Sequence, residues 1–125
     1  MARVLIIDDN ANNRLLLVTL LQHAGHSVLE ADAGIPGGLL AAQKQPDLVV
    51  VDLSLPDISG LALIRKLRAD AMTAHLPIAL YTATDISPAL QDLIDAYDIR
   101  GVIPKLGDPK QILDVFAALL DAPKS

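Results

Sequence analysis

Three aspartates, one threonine and one lysine stand where the aliphatic runs of this 125-residue chain end. Asp8 and Asp9 follow Val4-Leu5-Ile6-Ile7, and Asp52 follows Leu48-Val49-Val50-Val51. Thr82 follows Ile78-Ala79-Leu80-Tyr81, and Lys105 comes just after Ile103 and Pro104. Such runs, rich in β-branched residues, suit strands buried on both faces of a parallel sheet. In open sheets of that kind, ligands and chemistry gather at the carboxyl ends of the strands. Taken singly, each residue has a plain explanation. An aspartate after a strand caps a helix, a threonine ends a strand, and a lysine is a solvated charge. Their joint placement at four strand ends is what points to chemistry.

Carboxylates crowded on one sheet edge repel one another, which implies a divalent cation. Oxygen donors without His or Cys select a hard ion, Mg²⁺ first, with Mn²⁺ as a substitute. Mg²⁺ keeps several waters, so one or two direct carboxylates suffice. The backbone carbonyl of a turn residue such as Ser54 is a further candidate ligand. A hydroxyl and an ammonium beside that ion are the parts needed to hold a phosphoryl group, whose transfer asks mainly for positioning and charge neutralisation. Carboxylates accept phosphoryl groups as aspartyl phosphates. Asp52 is the candidate nucleophile, attacking in line, while the cation and Lys105 neutralise the phosphoryl oxygens and Thr82 donates to one of them.

Five alternations of strand and helix are needed to hold these groups in place. The expected strands are Arg3–Ile7, Ser27–Glu30, Asp47–Val51, Pro77–Tyr81 and Ile99–Ile103. A helix is expected from Asn12 to Ala24, capped by Asn10 or Asn12 and stopped by Gly25. The second should run to about Gln45, with its start frayed or displaced by Pro36, Gly37 and Gly38, since each Gly costs up to about 1 kcal/mol relative to Ala. The third, from Gly60 to about Ala69, turns Leu61, Ile64 and Leu67 inward and Arg65, Lys66 and Arg68 outward. Ser87-Pro88 opens a fourth helix to about Tyr97. Asp108, Pro109 and Gln111 open a last one, with Ile112, Val115 or Phe116, and Leu119 inward. Such alternation gives a doubly wound α/β fold with right-handed crossovers. One domain over 1–122 is expected, with 123–125 as a tail or the start of a linker.

Composition narrows the function classes. A formal net charge of -5 argues against a nucleic-acid surface, which needs a basic stripe. With no cysteine, disulfides and thiolate metal sites are excluded, and a reducing, cytoplasmic setting fits. The apolar runs are too short to span a bilayer. One Phe, two Tyr and no Trp leave little for base stacking. His23, His26 and His75 are scattered and read as surface or loop residues. No Gly-rich phosphate loop supports nucleotide binding.

The chain resembles, over nearly its whole length, the receiver domain of bacterial two-component response regulators. The resemblance rests on Ile6-Ile7-Asp8-Asp9-Asn10, Val51-Asp52-Leu53-Ser54-Leu55-Pro56-Asp57-Ile58-Ser59-Gly60, Tyr81-Thr82-Ala83 and Lys105. It implies a flavodoxin-like (CheY-like) fold, a five-stranded parallel sheet of order 2-1-3-4-5 with five helices, the order for which the family is itself a standard example. It implies Asp52 as phosphoacceptor, Asp9 and Asp52 as direct Mg²⁺ ligands, Asp8 through water, Ser54 through its carbonyl, and Thr82 and Lys105 on the phosphoryl group. The donor would be a phosphohistidine on a sensor histidine kinase or a phosphotransfer protein. A downstream effector or fused output domain would read the state through the fourth helix, fifth strand and fifth helix, a surface such domains also use to form homodimers. No direct nucleic-acid or membrane partner is implied.

The chain departs from the family pattern at two places. Lys105 is followed by Leu106 where receivers carry Pro, so a trans bond and a shifted loop are expected, a cis bond costing roughly 2.5–4 kcal/mol. Val102 stands where receivers often carry an aromatic that turns inward on phosphorylation. The signal is then expected to travel through the loop at 83–88 and the helix after it. Two other readings exist. A docking module independent of phosphorylation would leave the acidic pocket without a use. A phosphohydrolase with an Asp nucleophile would want Asp-x-Asp, yet Asn10 stands two residues after Asp8.

Overall fold

The computed structural model describes residues 1–83 and 85–121; Thr84 and the expected tail at 123–125, with Ala122, lie outside them. Each aliphatic run forms a strand: β1 (Arg3–Ile7), β2 (Ser27–Ala31), β3 (Leu48–Asp52), β4 (Ile78–Thr82) and β5 (Gly101–Pro104). Between and after them lie α1 (Ala11–His23), α2 (Gly34–Lys44), α3 (Gly60–Ala69), α4 (Pro88–Ala96) and α5 (Pro109–Asp121). All neighbouring strands pair in parallel, in the order β2-β1-β3-β4-β5. The strands nearest the middle are buried on both faces, which is why they read as unbroken aliphatic runs and not as alternating ones. No helix among the described residues is long and apolar enough to cross a membrane.

Strand side chains alternate between two apolar layers. Leu5, Ile7, Val49, Val51, Ile78 and Leu80 face Leu63, Ile64 and Leu67 of α3, with Leu90, Leu93 and Ile94 of α4 partly buried against them. Val4, Ile6, Leu48, Val50, Ala79, Tyr81 and Ile103 face Leu17 and Leu21 of α1 and Ile112 and Phe116 of α5. Three helix starts follow the sequence signals, those of α1, α4 and α5, and α3 adds a cap of its own. Asn10 caps α1 through Asn13 N (3.0 Å), Ser59 caps α3 through Ala62 N (3.1 Å), and Ser87 caps α4 through Leu90 N (3.1 Å). Asp108 accepts from Gln111 N at 2.8 Å to open α5. Strand ends differ from expectation by one or two residues. Ile99 N is still bonded back to Ile94 O, and Arg100 N makes the first bond across to β4, at Ile78 O, so β5 proper runs from Gly101.

The start of α2 corrects the expectation of a frayed end. The helix begins at Gly34, so Pro36 falls in the first turn, where its missing N–H costs nothing. Ala33 offers no side-chain cap; the Asp57 carboxylate reaches over from the loop after β3 and accepts from Gly34 N (2.8 Å) and Ile35 N (2.7 Å). Gly37 is a packing requirement: a Cβ there would lie 2.6 Å from Ile7 Cδ1 and 2.8 Å from its Cγ1. The helix can therefore lie close against β1. A Cβ on Gly38 would meet only Leu63 Cδ1, at an ordinary 3.5 Å.

Arg68 is a second correction. Arg65 and Lys66 are exposed as expected, but Arg68 turns inward. Its guanidinium donates to Leu76 O (2.6 Å), Tyr97 O (2.8 Å), Ala74 O (3.0 Å) and Asp98 O (3.2 Å), tying α3 to the end of α4. Burial pulls its pKa below the ordinary arginine value, with Asp98 opposing.

Candidate active site

The sheet order carries β1 and β3 side by side in the middle of the sheet, so their carboxyl ends deliver Asp8, Asp9 and Asp52 to one spot. The three offer carboxylate oxygens that all lie within 4.8 Å of one another. Asp8 and Asp52 are buried, at 0% and 4% exposure, while Asp9 is open to solvent. The floor of the cluster is therefore dry, and its mouth is wet.

The two buried carboxylates are each aimed by a backbone donor. Asp8 Oδ1 accepts from Asn10 N at 2.8 Å, and Arg14 Nη1 holds the Asp8 carbonyl at 2.6 Å. Asp52 Oδ1 accepts from Ser54 N at 3.1 Å. Immediately beyond, Gly60 packs so tightly on the loop that a Cβ there would overlap Asp52 O and Leu53 Cα, and its N–H donates to Leu53 O at 3.0 Å. Only glycine lets α3 start this close to Asp52.

Lys105 reaches this cluster from β5. Its Nζ lies 3.1 Å from Asp52 Oδ1 and 3.6 Å from Asp8 Oδ2. The chain contains no cis peptide bond among the described residues, so the bond before Leu106 is trans as expected. The lysine still arrives, because Lys105 N donates to Thr82 O at 3.0 Å and continues the ladder past Pro104. Pro104 lacks a donor, but β5 is an edge strand.

Thr82 ends β4 opposite Pro104 and is buried, at 7% exposure. It lines an open cleft with Ala83, Ile86, Val102, Pro104 and Leu106. Val102 therefore sits next to the threonine, in the place where the family pattern would put a ring. Ser54 is exposed in the loop after Asp52, its amide engaged with that carboxylate. Distances thus join Asp8, Asp9, Asp52 and Lys105 directly. Thr82 is joined to them through the Lys105 backbone.

One ammonium against three carboxylates leaves negative charge in excess. Burial raises the Asp8 pKa above the usual carboxylate value; the Asn10 amide lowers it, the Asp52 charge raises it and Lys105 lowers it. Asp8 Oδ2 has no hydrogen-bond partner, which is costly for a buried carboxylate oxygen. Two residues of this environment were not expected. Tyr81 is fully buried beneath the cluster, its ring centroid 5.2 Å from Lys105 Nζ. Burial, then the Asp8 and Asp52 charges, push its hydroxyl up to about 12. Asp57 holds α2 to the loop that follows Asp52. In sequence, Tyr81 looks like one more apolar strand residue and Asp57 like a turn residue.

Comparison with known proteins follows the same outline. The model of the response regulator receiver domain matches residues 4–117. The chain is 39% identical over 85 residues to PilH of Pseudomonas aeruginosa, covering 68% of this chain and 70% of PilH. It is 41% identical over 98 residues to the DNA-binding dual master transcriptional regulator RpaA of Synechocystis, covering 78% of this chain but 39% of RpaA. The chain thus spans well under half the length of that relative. Chemotaxis protein CheY4 of Vibrio cholerae superposes with a TM-score of 0.87 at 26% identity, over 96% of this chain and 99% of CheY4. The receiver domain of the sensor histidine kinase PA1611 of P. aeruginosa, whose structure holds magnesium in its active site cleft, superposes with a TM-score of 0.83 at 19% identity, over 97% and 98% of the two chains. With sheet order, acidic cluster and a match over nearly its whole length in agreement, the chain belongs to the response regulator receiver domain family.

Proposed function

We propose that this receiver takes a phosphoryl group onto Asp52 and that the loaded state is its signal. The observation that carries the reading is the Lys105 ammonium 3.1 Å from Asp52 Oδ1, inside a cluster of three carboxylates. In the step, an Asp52 carboxylate oxygen forms a bond to phosphorus. The N–P bond of a donor phosphohistidine breaks, and its electron pair returns to the imidazole. Lys105 stands beside the acceptor oxygen to offset the charge of the transferred group. Thr82, at the end of the neighbouring strand, is the hydroxyl donor to a phosphoryl oxygen.

The donor set fits Mg²⁺. It is all oxygen, it carries excess negative charge, and the buried Asp8 Oδ2 has no hydrogen bond, only the Lys105 ammonium at 3.6 Å. Asp9 and Asp52 would hold the ion directly, Asp8 through water and Ser54 through its carbonyl, and the bound ion would neutralise charge on the phosphoryl oxygens. The donor is a sensor histidine kinase or a phosphotransfer protein. The reader is an effector or a fused output domain, engaged through α4, β5 and α5, with a homodimer over that face as one form. With Val102 beside Thr82, the change runs through the loop at 83–88 into α4. A cytoplasmic setting follows from the kinase donor.

The test is incubation with acetyl phosphate and Mg²⁺, followed by intact mass. One phosphoryl adduct is expected in the natural protein, none without divalent cation, and none in Asp52→Asn. An adduct that persists in Asp52→Asn, or no adduct in any sample, overturns the reading.

A further inference from the structure

Among the described residues, Lys105 is the cation paired with the site carboxylates, and its backbone is tied to Thr82 O at 3.0 Å. The next residue, Leu106, is 85% exposed, so the residue after the lysine packs on nothing, while the Lys105 side chain itself turns in and is only 19% exposed. The carboxylates that attract it, Asp52 and Asp8, are the same groups that a divalent cation would claim. A partner outside that competition is present below. Tyr81 is fully buried, on a strand flanked on both sides by β3 and β5, and packed in the layer formed by Val50, Ile103 and Phe116. Its ring cannot move without moving the sheet. Lys105 Nζ lies over that ring at 5.2 Å from the centroid, within range for attraction of an ammonium to the negative ring face.

The tyrosine hydroxyl does not explain the residue. It is buried and has no hydrogen-bond partner, so a hydrogen bond is not why an aromatic stands here. The ring face is what the site uses. We infer that Tyr81 is a positioning residue for phosphoryl transfer: its ring is the fixed floor that keeps the Lys105 ammonium at Asp52 when a cation takes up the carboxylates. The inference rests on the reading of Asp52 as acceptor, and it fills the place left by the missing constraint after Lys105.

Two readouts separate the ring from the hydroxyl and from folding. In the unmodified protein, the Lys105 Cε methylene protons should be shifted upfield by the ring, with Lys105→Met identifying the signals. Tyr81→Phe should keep that shift and keep the acetyl phosphate labelling rate within about two-fold. Tyr81→Leu should abolish the shift and slow labelling about three- to thirty-fold, the range such cation–ring contacts span. Should Tyr81→Leu fail to fold, phenylalanines of rising ring fluorination at position 81 keep the volume, and shift and rate should then fall stepwise with fluorination. Lys105 signals unmoved in Tyr81→Leu, or a fluorination series with flat rates, overturns the inference. If the natural protein is not labelled at all, the acceptor reading fails, and the Lys105 signals still decide whether the ring holds the lysine.

Discussion

Asp8→Asn should make this protein more stable in the absence of divalent cations and end its response to them. The reason lies in opposed charges of similar size. At an effective dielectric of about 20, two unit charges interact by about 332/(20r) kcal/mol. Asp8 and Asp52 offer oxygens within 4.8 Å, which gives a repulsion of at least about 3.5 kcal/mol. Lys105 at 3.6 Å from Asp8 Oδ2 returns about 4.6 kcal/mol. Asp9 adds further repulsion from the open side. The charge contributions nearly cancel, and what is left is the cost of holding a carboxylate at 0% exposure with one oxygen lacking a hydrogen bond. Asparagine keeps the shape and the Asn10 contact and removes that cost. The expected gain is about 1–2 kcal/mol in urea unfolding at neutral pH without metal. With millimolar Mg²⁺ the natural protein should gain stability as a ligand-bound state does, while the variant gains little. The pH dependence has a definite sign. The folded pKa of Asp8 is raised, so the folded state binds more protons and stability falls as pH rises through that folded value. The advantage of the variant should therefore shrink on acidification. A variant less stable than the natural protein without metal, or one that gains equally from Mg²⁺, would refute the reasoning.

Other expectations follow from packing and caps. Gly37→Ala should lose about 1–2 kcal/mol, since Ile7 blocks the new methyl group, while Gly38→Ala should gain about 0.5–1 kcal/mol from helix propensity; equal effects in thermal unfolding would contradict the packing. Arg68→Met keeps the stem and leaves the part-buried Leu76 and Tyr97 carbonyls without their donor, so a loss of about 1–3 kcal/mol is expected in denaturant unfolding, and a neutral result would deny the inward guanidinium. Asp57→Ala should speed amide exchange at Gly34 and Ile35 but not at Ala62, which Ser59 caps. Those amides lower the Asp57 pKa, so the cap holds above the ordinary aspartate value and is lost only as pH falls through the lowered one. Protection of Gly34, taken relative to the intrinsic exchange rate, that is already lost on lowering the pH from neutral to above the ordinary aspartate value would contradict that sign.

The strand runs and the acidic strand ends were legible in the sequence, since a buried parallel strand admits almost nothing but aliphatic residues. A charge at its end then stands out, as Asp8 and Asp52 do. Cap residues such as Asn10, Ser87 and Asp108 were legible because they act within three residues of themselves. What escaped depends on distance between elements. Gly37 is explained by Ile7, thirty positions earlier, and the cap of α2 comes from Asp57, more than twenty positions later. Arg68 reads as a surface residue by helical period, yet the carbonyls at the end of α4 draw it in. Tyr81 reads as core, and it is core; only the path of Lys105 over its ring gives it a second role.

The most direct test of the account is the position of the acyl phosphate itself. After loading with acetyl phosphate and Mg²⁺, borohydride reduction converts a phosphorylated aspartate to homoserine, which peptide mass spectrometry locates. Homoserine at position 52 alone is the predicted result. Homoserine at position 8 or 9, or at none of the three, would contradict it.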